Sequence, residues 1–126
     1  MERETLKSLF EEYWFDNQYL KEKVKEVETV NKLLLTERDS TLLLNTKKYE
    51  EAEMSKIIEK KKYIESLIQE LSQPFRTIMY MKYITFLTFD QIADRMNYST
   101  KRIYQLHTEA LNKLLIVVNN EKISTN

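Results

Sequence analysis

The stretch FDQIADRMNYSTKRIYQLHT, residues 89–108, decides the fold of the C-terminal part of this chain. Two helices that cross steeply over a tight turn need a small residue at the crossing, and Ala93 provides one. Four residues later, Asn97 can take the left-handed backbone conformation that ends a helix. Ser99 can then cap a second helix. The apolar residues placed to bury this helix pair are Ile92, Met96, Tyr98, Ile103 and Leu106. The stretch therefore predicts a helix-turn-helix.

The residues around this stretch extend it into a small helical domain. Thr88 and Gln91 have the spacing of a capping box, which opens the first helix of the pair. Further upstream, Ser72, Gln73 and Pro74 form a helix start signal. The apolar residues of the helix that follows are Phe75, Ile78, Met79 and Tyr83. We predict a domain over residues 71–118, with the last helix ending near Val118, and a flexible tail over 119–126.

Residues 1–70 carry the pattern of long amphipathic helices. One helix is predicted from residue 2 to about 35, because apolar residues recur there every seven positions. They are Leu6, Tyr13, Leu20, Val27 and Leu34. A second helix is predicted from about Lys47 to Leu71, after a connection near residues 36–46. Leu42–Leu44 in that connection could be helical, extended or a docking patch. The two long helices could fold into an intrachain hairpin or pair between chains as a coiled coil, so the fold class is all-α in either case.

Composition narrows the functional classes. The chain has no Gly and one Pro, which favours long helices and leaves no glycine-rich phosphate loop. Without Cys and with His107 as the single histidine, we expect no metal site and a surface or phosphate-adjacent imidazole. No carboxylate pair is marked for acid–base catalysis, so we expect neither an enzyme nor a cofactor. The charged N-terminus and the lack of a long apolar run favour a cytoplasmic protein without membrane contact.

The charge is unevenly distributed along the chain. Residues 1–70 hold 13 Lys and Arg against 16 Asp and Glu, whereas residues 71–126 hold 7 against 4. The net charge of the C-terminal part is therefore +3, which weakly favours an anionic partner for that part alone.

The segment LSQPFRTIMYMKYITFLTFDQIADRMNYSTKRIYQLHTEALNKL, residues 71–114, resembles region 4 of bacterial sigma-70 factors. The elements that carry the resemblance are Leu71, Met79 with Lys82 and Tyr83, Leu87 and Thr88, Phe89, Ile92 and Ala93, and the closing Ala110-Leu111-Asn112-Lys113-Leu114. The resemblance implies a sequence-specific transcription regulator that binds double-stranded DNA. Together with the long N-terminal helices, it resembles the small region-4-like regulators, of late-operon activator type, of phages and prophages of Gram-positive bacteria.

The sequence also departs from the region 4 pattern. Lys101 stands where the family has an acidic residue that helps to read bases, and Tyr104 replaces a residue that is often basic, while Gln105 keeps the family's amide. Asn97 replaces the usual glycine of the turn. The preferred DNA sequence should therefore differ from a standard −35 element. No segment resembles sigma region 2, so we do not expect a complete sigma factor.

Helical periodicity places the candidate base contacts on one side of the last helix. The residues expected to contact bases in the major groove are Thr100, Lys101, Tyr104, Gln105 and Thr108. Those expected to contact the DNA backbone are Thr88, Ser99, Arg102 and Lys113. One such helix binds weakly alone, so residues 1–70 are expected to form a homodimer or to dock on RNA polymerase.

Two other functions fit the same pattern. A phage small terminase subunit also joins a helix-turn-helix to long helices, although it typically places the DNA-binding module first. An RNA-polymerase-binding inhibitor or adaptor could keep the region-4-like fold without reading DNA, and the low positive charge fits this alternative. Salt-dependent DNA binding separates them, since a protein that contacts phosphates loses affinity steeply as salt rises.

Overall fold

The computed structural model describes residues 1–36 and 41–124, with the backbone alone for 122–124. The helices are α1 (Arg3–Thr36), α2 (Thr41–Glu70), α3 (Phe75–Met79), α4 (Phe89–Met96) and α5 (Thr100–Ser124). α3 continues directly into a π-helical turn over Tyr80–Ile84. These described residues contain no strand, which confirms the predicted all-α class.

Two predicted helix ends were wrong. α2 begins at Thr41, so Leu42–Leu44 are helical and the connection predicted over 36–46 was too long. Leu is among the better helix formers, and the Thr46 hydroxyl donates to the Leu42 carbonyl at 2.8 Å inside the helix. What remains of the connection, residues 37–40, lies outside the described residues.

At the other end of the chain, α5 continues to Ser124, six residues beyond the predicted end at Val118. Tertiary contacts extend it. Val118 is buried, and the N-terminal ammonium of Met1 donates to Oδ1 of Asn119 at 3.0 Å. The tail predicted from residue 119 is therefore helical as far as Ser124.

The chain forms two compact units. The first, which we call the core unit, joins Met1–Trp14 to Tyr63–Asn126, and the second, the hairpin unit, is Phe15–Lys62. Each long helix contributes one end to the core unit and the rest to the hairpin unit. The units do not follow the boundary predicted at residue 70, because apolar side chains from both helix ends pack with α3, the π-helical turn and α5.

A large cluster of buried side chains joins both long helices to α3, the π-helical turn and α5 in the core unit. Its buried members are Leu6, Phe10, Tyr13, Ile64, Leu67, Ile68, Leu71, Met79, Tyr83, Ala110, Leu111, Leu114 and Val118. The Phe10 and Tyr83 rings lie with their centroids 5.2 Å apart. Each fully buried Leu, Ile or Phe side chain stabilises the fold by about 1.5–3 kcal/mol. The Tyr13 hydroxyl also donates to Oε1 of Glu65 at 2.6 Å, which ties α1 to α2.

Within the hairpin unit, α1 and α2 pair in the same chain. Lys23 Nζ lies 2.9 Å from Oε2 of Glu50, and Lys60 Nζ lies 3.1 Å from Oδ2 of Asp16. The residue numbers run in opposite directions along the two helices, so the pair is antiparallel. Hydrogen bonds to Glu26 and Glu50 raise the pKa of Lys23. These ion pairs show α1 and α2 as an intrachain hairpin, one of the two predicted arrangements. None of the helices in the described residues is long and apolar enough to cross a membrane.

The loop before α4 contains a left-handed aromatic residue. Phe86 has φ 59° and its ring stacks on the Trp14 ring, with centroids 4.8 Å apart and planes inclined by 19°. A bulky side chain pays a conformational cost in this region. Stacking on Trp14 offsets part of that cost, so the two rings fix the loop against the end of α1 that belongs to the core unit.

Candidate nucleic-acid interface

α4 begins with the predicted capping box. The Gln91 amide N–H donates to Oγ1 of Thr88 at 3.2 Å, and the Thr88 amide N–H donates to Oε1 of Gln91 at 2.9 Å. Both bonds satisfy backbone donors that the first helical turn would otherwise leave unpaired. The Thr88 hydroxyl, a predicted phosphate contact, therefore serves first as the cap of α4.

The turn after α4 is also built as the sequence predicts. Asn97 has φ 59° and ψ 37°, the left-handed conformation, and its N–H donates to the Ala93 carbonyl. The Tyr98 N–H donates to the same carbonyl at 3.1 Å. Ala93 is buried at the crossing, as a close approach of two helices requires. These contacts fix where α5 starts.

Two hydrogen bonds position the first turn of α5. Ser99 Oγ accepts from the Arg102 amide N–H at 3.1 Å, which confirms Ser99 as the helix cap. The Thr100 hydroxyl donates to Oδ1 of Asp90 at 2.9 Å and so links the starts of α4 and α5. The half-buried Thr100 thus positions the helix pair with the hydroxyl that was predicted to reach a base. Asp90 was not singled out from the sequence, although its position in the first turn of α4 suits a carboxylate.

The interior of the helix pair contains most of the predicted apolar residues. A second buried cluster consists of Ile78, Ile92, Ala93, Ile103 and Leu106. Met96 packs against it while partly buried. Tyr98 is 42% exposed, so the expectation that it buries the pair was wrong. Tyr98 lies in the turn between α4 and α5, where the backbone no longer follows the helical repeat that places Ile103 and Leu106 inside.

The side of α5 opposite this interior faces solvent. Lys101, Gln105 and Thr108 are exposed and lie one turn apart, and Tyr104 is exposed beside them. This spacing follows from the helical period of 3.6 residues, because the buried residues occupy the other side of the same turns. The stripe formed by Lys101, Gln105 and Thr108, which we call the reading face, is thus free to meet a ligand.

Neighbouring side chains restrain several of the candidate contacts. The Tyr104 ring packs on the Phe89 ring with centroids 4.3 Å apart. Arg102 donates to Oε1 of Gln105 at 3.3 Å, and it also lies 3.9 Å from Glu109. The Gln105 amide keeps its NH₂ group and one carbonyl lone pair for another partner.

Lys113 lies apart from the other candidate residues. Its ammonium is 5.1 Å from the centroid of the Phe75 ring. Thirteen residues separate it from Thr100, which corresponds to about 20 Å along an α-helix. A DNA contact by Lys113 would therefore fall on the backbone and away from the start of α5.

His107 departs most from the expectation. It is only 5% exposed, so the prediction of a surface imidazole was wrong. His107 lies four residues after Ile103 and four before Leu111, and this spacing places it on the apolar stripe of α5. Its Nε2 lies 2.6 Å from the Tyr83 hydroxyl. Burial, and to a smaller extent the charges of Lys7 and Lys82, lower the pKa of His107 to about 4.

The buried Tyr83–His107 pair is therefore neutral. Burial also raises the pKa of Tyr83, so its hydroxyl keeps its proton. That hydroxyl donates to Nε2 of His107 when the imidazole carries its proton on Nδ1. The pair joins the π-helical turn to α5 beneath the reading face. The helical spacing of His107 was the signal that could have identified it, since a residue on the apolar side of a helix is expected to be buried.

Comparison of the sequence with family models gives a match over this part of the chain. Residues 67–114 match the family model described as Sigma-70, region 4. This segment is similar to sigma-70 region 4, and its capped α4, left-handed turn and α5 have the geometry of a helix-turn-helix. The match begins four residues before the start predicted at Leu71 and ends within α5. It supports DNA binding, since helix-turn-helix domains contact DNA with the second helix of the motif.

The long helices lie mostly outside the matched segment. α1 and most of α2 precede residue 67, and the last turns of α5 follow residue 114. Searches of curated proteins and of solved structures gave no match for the chain.

Proposed function

We propose that the chain is a sequence-specific DNA-binding transcription regulator that reads the major groove with α5. The observation that carries this proposal is the exposure of the reading face, Lys101, Gln105 and Thr108, on α5. The turn before α5 is fixed by the left-handed Asn97, whose N–H donates to the Ala93 carbonyl. A helix held at both its cap and its crossing can enter a groove without rearranging, which lowers the cost of binding. The region-4-like segment supports the same ligand.

The side chains suggest distinct roles in recognition. Lys101 can donate to O6 and N7 of guanine, and Gln105 can pair with adenine through its amide. The Arg102 bond to Gln105 holds that amide in place while leaving its NH₂ group available. Thr108 and Tyr104 lie where they could contact a thymine methyl or a phosphate. Arg102 and the helix start at Ser99 are suited to the DNA backbone.

A binding-site selection followed by two substitutions tests the proposal. Random duplexes are enriched on the purified protein, and the selected site is then titrated with each variant. Lys101→Ala and Gln105→Ala should each cost about 1–3 kcal/mol on that site. Lys62→Ala, which removes an exposed lysine outside the matched segment, is the matched control. Equal binding by the two variants and the parent would refute the assignment of the reading face.

We further propose that the regulator is a phage or prophage activator acting in the cytoplasm of a bacterial host, and that it is not an enzyme. The support is the resemblance of residues 71–114, together with the long N-terminal helices, to small phage regulators. Genome-wide footprinting in the host, combined with transcript levels of the neighbouring genes, tests this role. Occupied sites upstream of genes whose transcription rises with the protein agree with an activator, whereas falling transcription would identify a repressor.

The hairpin unit is proposed to act as a homodimer interface. Large apolar side chains remain exposed there after α1 and α2 have paired, including Leu35 at 87% and Leu42 at 77% exposure. A second copy would bury them, and a dimer carries two reading faces, which raises affinity for paired half-sites through effective concentration.

Sedimentation of the purified protein at tens of micromolar should show a dimer. Leu35→Lys with Leu42→Lys should shift it to monomer, while Ile116→Lys, a matched change of an exposed apolar residue on α5, should not. A monomer for the parent protein would remove the dimer and leave RNA polymerase as the partner to test for this unit.

A further inference from the structure

The first turns of α1 lie beside the helix proposed to read DNA. Met1 bonds to Asn119, and farther along α1 the residues Arg3, Glu4 and Lys7 line a pocket of about 160 Å³. The other lining residues are Phe89, Tyr104, His107, Thr108 and Leu111. α1 therefore runs antiparallel to α5 and reaches the flank of its exposed side. None of α1 belongs to the segment that matches region 4.

The size of the major groove determines what such a neighbour can touch. The groove is about 12 Å wide, and an α-helix with its side chains is about 10–12 Å in diameter. α5 would fill the groove, so an element packed against its flank cannot enter the same groove. That element faces the sugar–phosphate wall instead, where cationic side chains contribute to affinity without reading sequence.

The charges on this flank suit a phosphate wall. Arg3 is exposed, and Lys7 is half-buried with its ammonium 3.8 Å from Glu11, the distance of a loose ion pair. Lys82 lies with its ammonium 4.3 Å from the centroid of the Phe89 ring, which lines the same pocket. Glu4 is an opposing charge on the same flank.

We propose that Arg3 and Lys7 form a phosphate-contacting arm that grips one DNA strand beside the groove entered by α5. This inference rests on the proposed function, since an arm without a reading helix would have no duplex beside it. It assigns a role in binding to the core-unit end of α1, whereas the matched segment alone would confine the interface to residues 67–114. Lys82 lies near enough to add to the positive potential of the arm.

Salt dependence measures such contacts directly. The logarithm of the binding constant falls linearly with the logarithm of salt concentration, with a slope of about 0.9 per neutralised phosphate. Phosphate contacts need no particular sequence, so the probe can be a fluorescent duplex of arbitrary sequence. A length of about 25 base pairs holds two half-sites one helical turn apart. Arg3→Gln and Lys7→Gln should each reduce the slope by about 1. Arg3→Lys, which keeps the charge, should preserve it.

Two further variants sharpen the test. Glu4→Gln removes the opposing charge and should strengthen binding to the same duplex. Lys21→Gln removes an exposed lysine farther along α1 and should leave the slope unchanged. Thermal unfolding of each variant shows whether the fold is intact, and Arg3, being exposed, can be changed without disturbing the core.

The outcomes separate the arm from the proposed function. If binding by the parent depends steeply on salt but Arg3→Gln and Lys7→Gln leave the slope unchanged, the arm is overturned. The proposal that the protein binds DNA is then still supported. An equal loss for Lys21→Gln also overturns it, since the effect would then be diffuse charge. A parent protein that binds no duplex overturns both proposals.

Discussion

Lowering the pH from 7 to 5 should destabilise the fold through one residue, His107. Its pKa is about 4 in the folded state, because burial and the charges of Lys7 and Lys82 oppose protonation. In the unfolded chain the pKa of histidine is about 6.5. The unfolded state therefore binds the proton more tightly, and stability falls as the pH drops through the window from 6.5 to 4. Above that window the contribution of His107 is fully retained.

The two pKa values set the size of the effect. Between pH 7 and pH 5 the unfolded chain gains about 2 kcal/mol from protonating His107, while the folded state gains almost nothing. Below pH 4 both states are protonated, and the full loss approaches about 3 kcal/mol. The chain has one histidine, so a variant without it isolates the part of the change that the imidazole causes.

Urea unfolding followed by circular dichroism at pH 7, 6 and 5 measures this loss. His107→Gln is the matched variant, because a Gln amide can accept from Tyr83 but cannot titrate in this range. Its stability should change much less between pH 7 and 5. Since the chain has one histidine, the NMR titration of its imidazole gives a second and direct readout. An imidazole in the folded protein that titrates near pH 6.5 would refute the reasoning, whatever the stability of the variant.

Two further substitutions test local backbone conformations. Asn97 has φ 59°, so Asn97→Gly should keep or raise the free energy of unfolding, whereas Asn97→Ala should lower it by about 1 kcal/mol. Urea unfolding that shows the Ala variant to be more stable than the Gly variant would contradict the left-handed turn. Phe86→Gly and Phe86→Ala both lose the stack on Trp14, but Gly avoids the left-handed cost and should be more stable than Ala by about 1 kcal/mol. Trp14 is the single tryptophan, so its fluorescence should change in both variants, and an unchanged spectrum would argue against the stack.

The helix-turn-helix could be predicted from the sequence because its determinants are local. The Thr88–Gln91 box, the left-handed Asn97 and the cap at Ser99 each depend on residues within one or two turns. Such short-range interactions leave a readable spacing in the sequence. The burial of Ile92 and Ile103 followed from the same helical repeat.

Features set by long-range packing could not be predicted in the same way. Periodicity identified apolar faces on both long helices, but it carried no information on which partner each face would meet. The ion pairs of Lys23 with Glu50 and of Lys60 with Asp16 became visible only in the structure, where they identify an intrachain hairpin. Because periodicity does not identify packing partners, the sequence also did not predict that α1 is divided between two units or that Arg3 lies beside α5.

His107 is an intermediate case. The position of the residue on the apolar side of α5 was readable, but a polar side chain there needs a buried partner, and Tyr83 lies 24 residues away. The helical spacing of His107 could be read from the sequence, but its partner could not. Tyr83 reaches His107 only because the π-helical turn packs against α5.

The central claim is that the exposed side of α5 enters a DNA groove, and mapping of backbone amide NMR shifts during titration with a duplex tests it most directly. The account predicts that the largest shifts fall on residues 99–108, with smaller ones at Thr88 and at the start of α1. Shifts confined to the hairpin unit, or a spectrum that the duplex leaves unchanged at low salt, would contradict it.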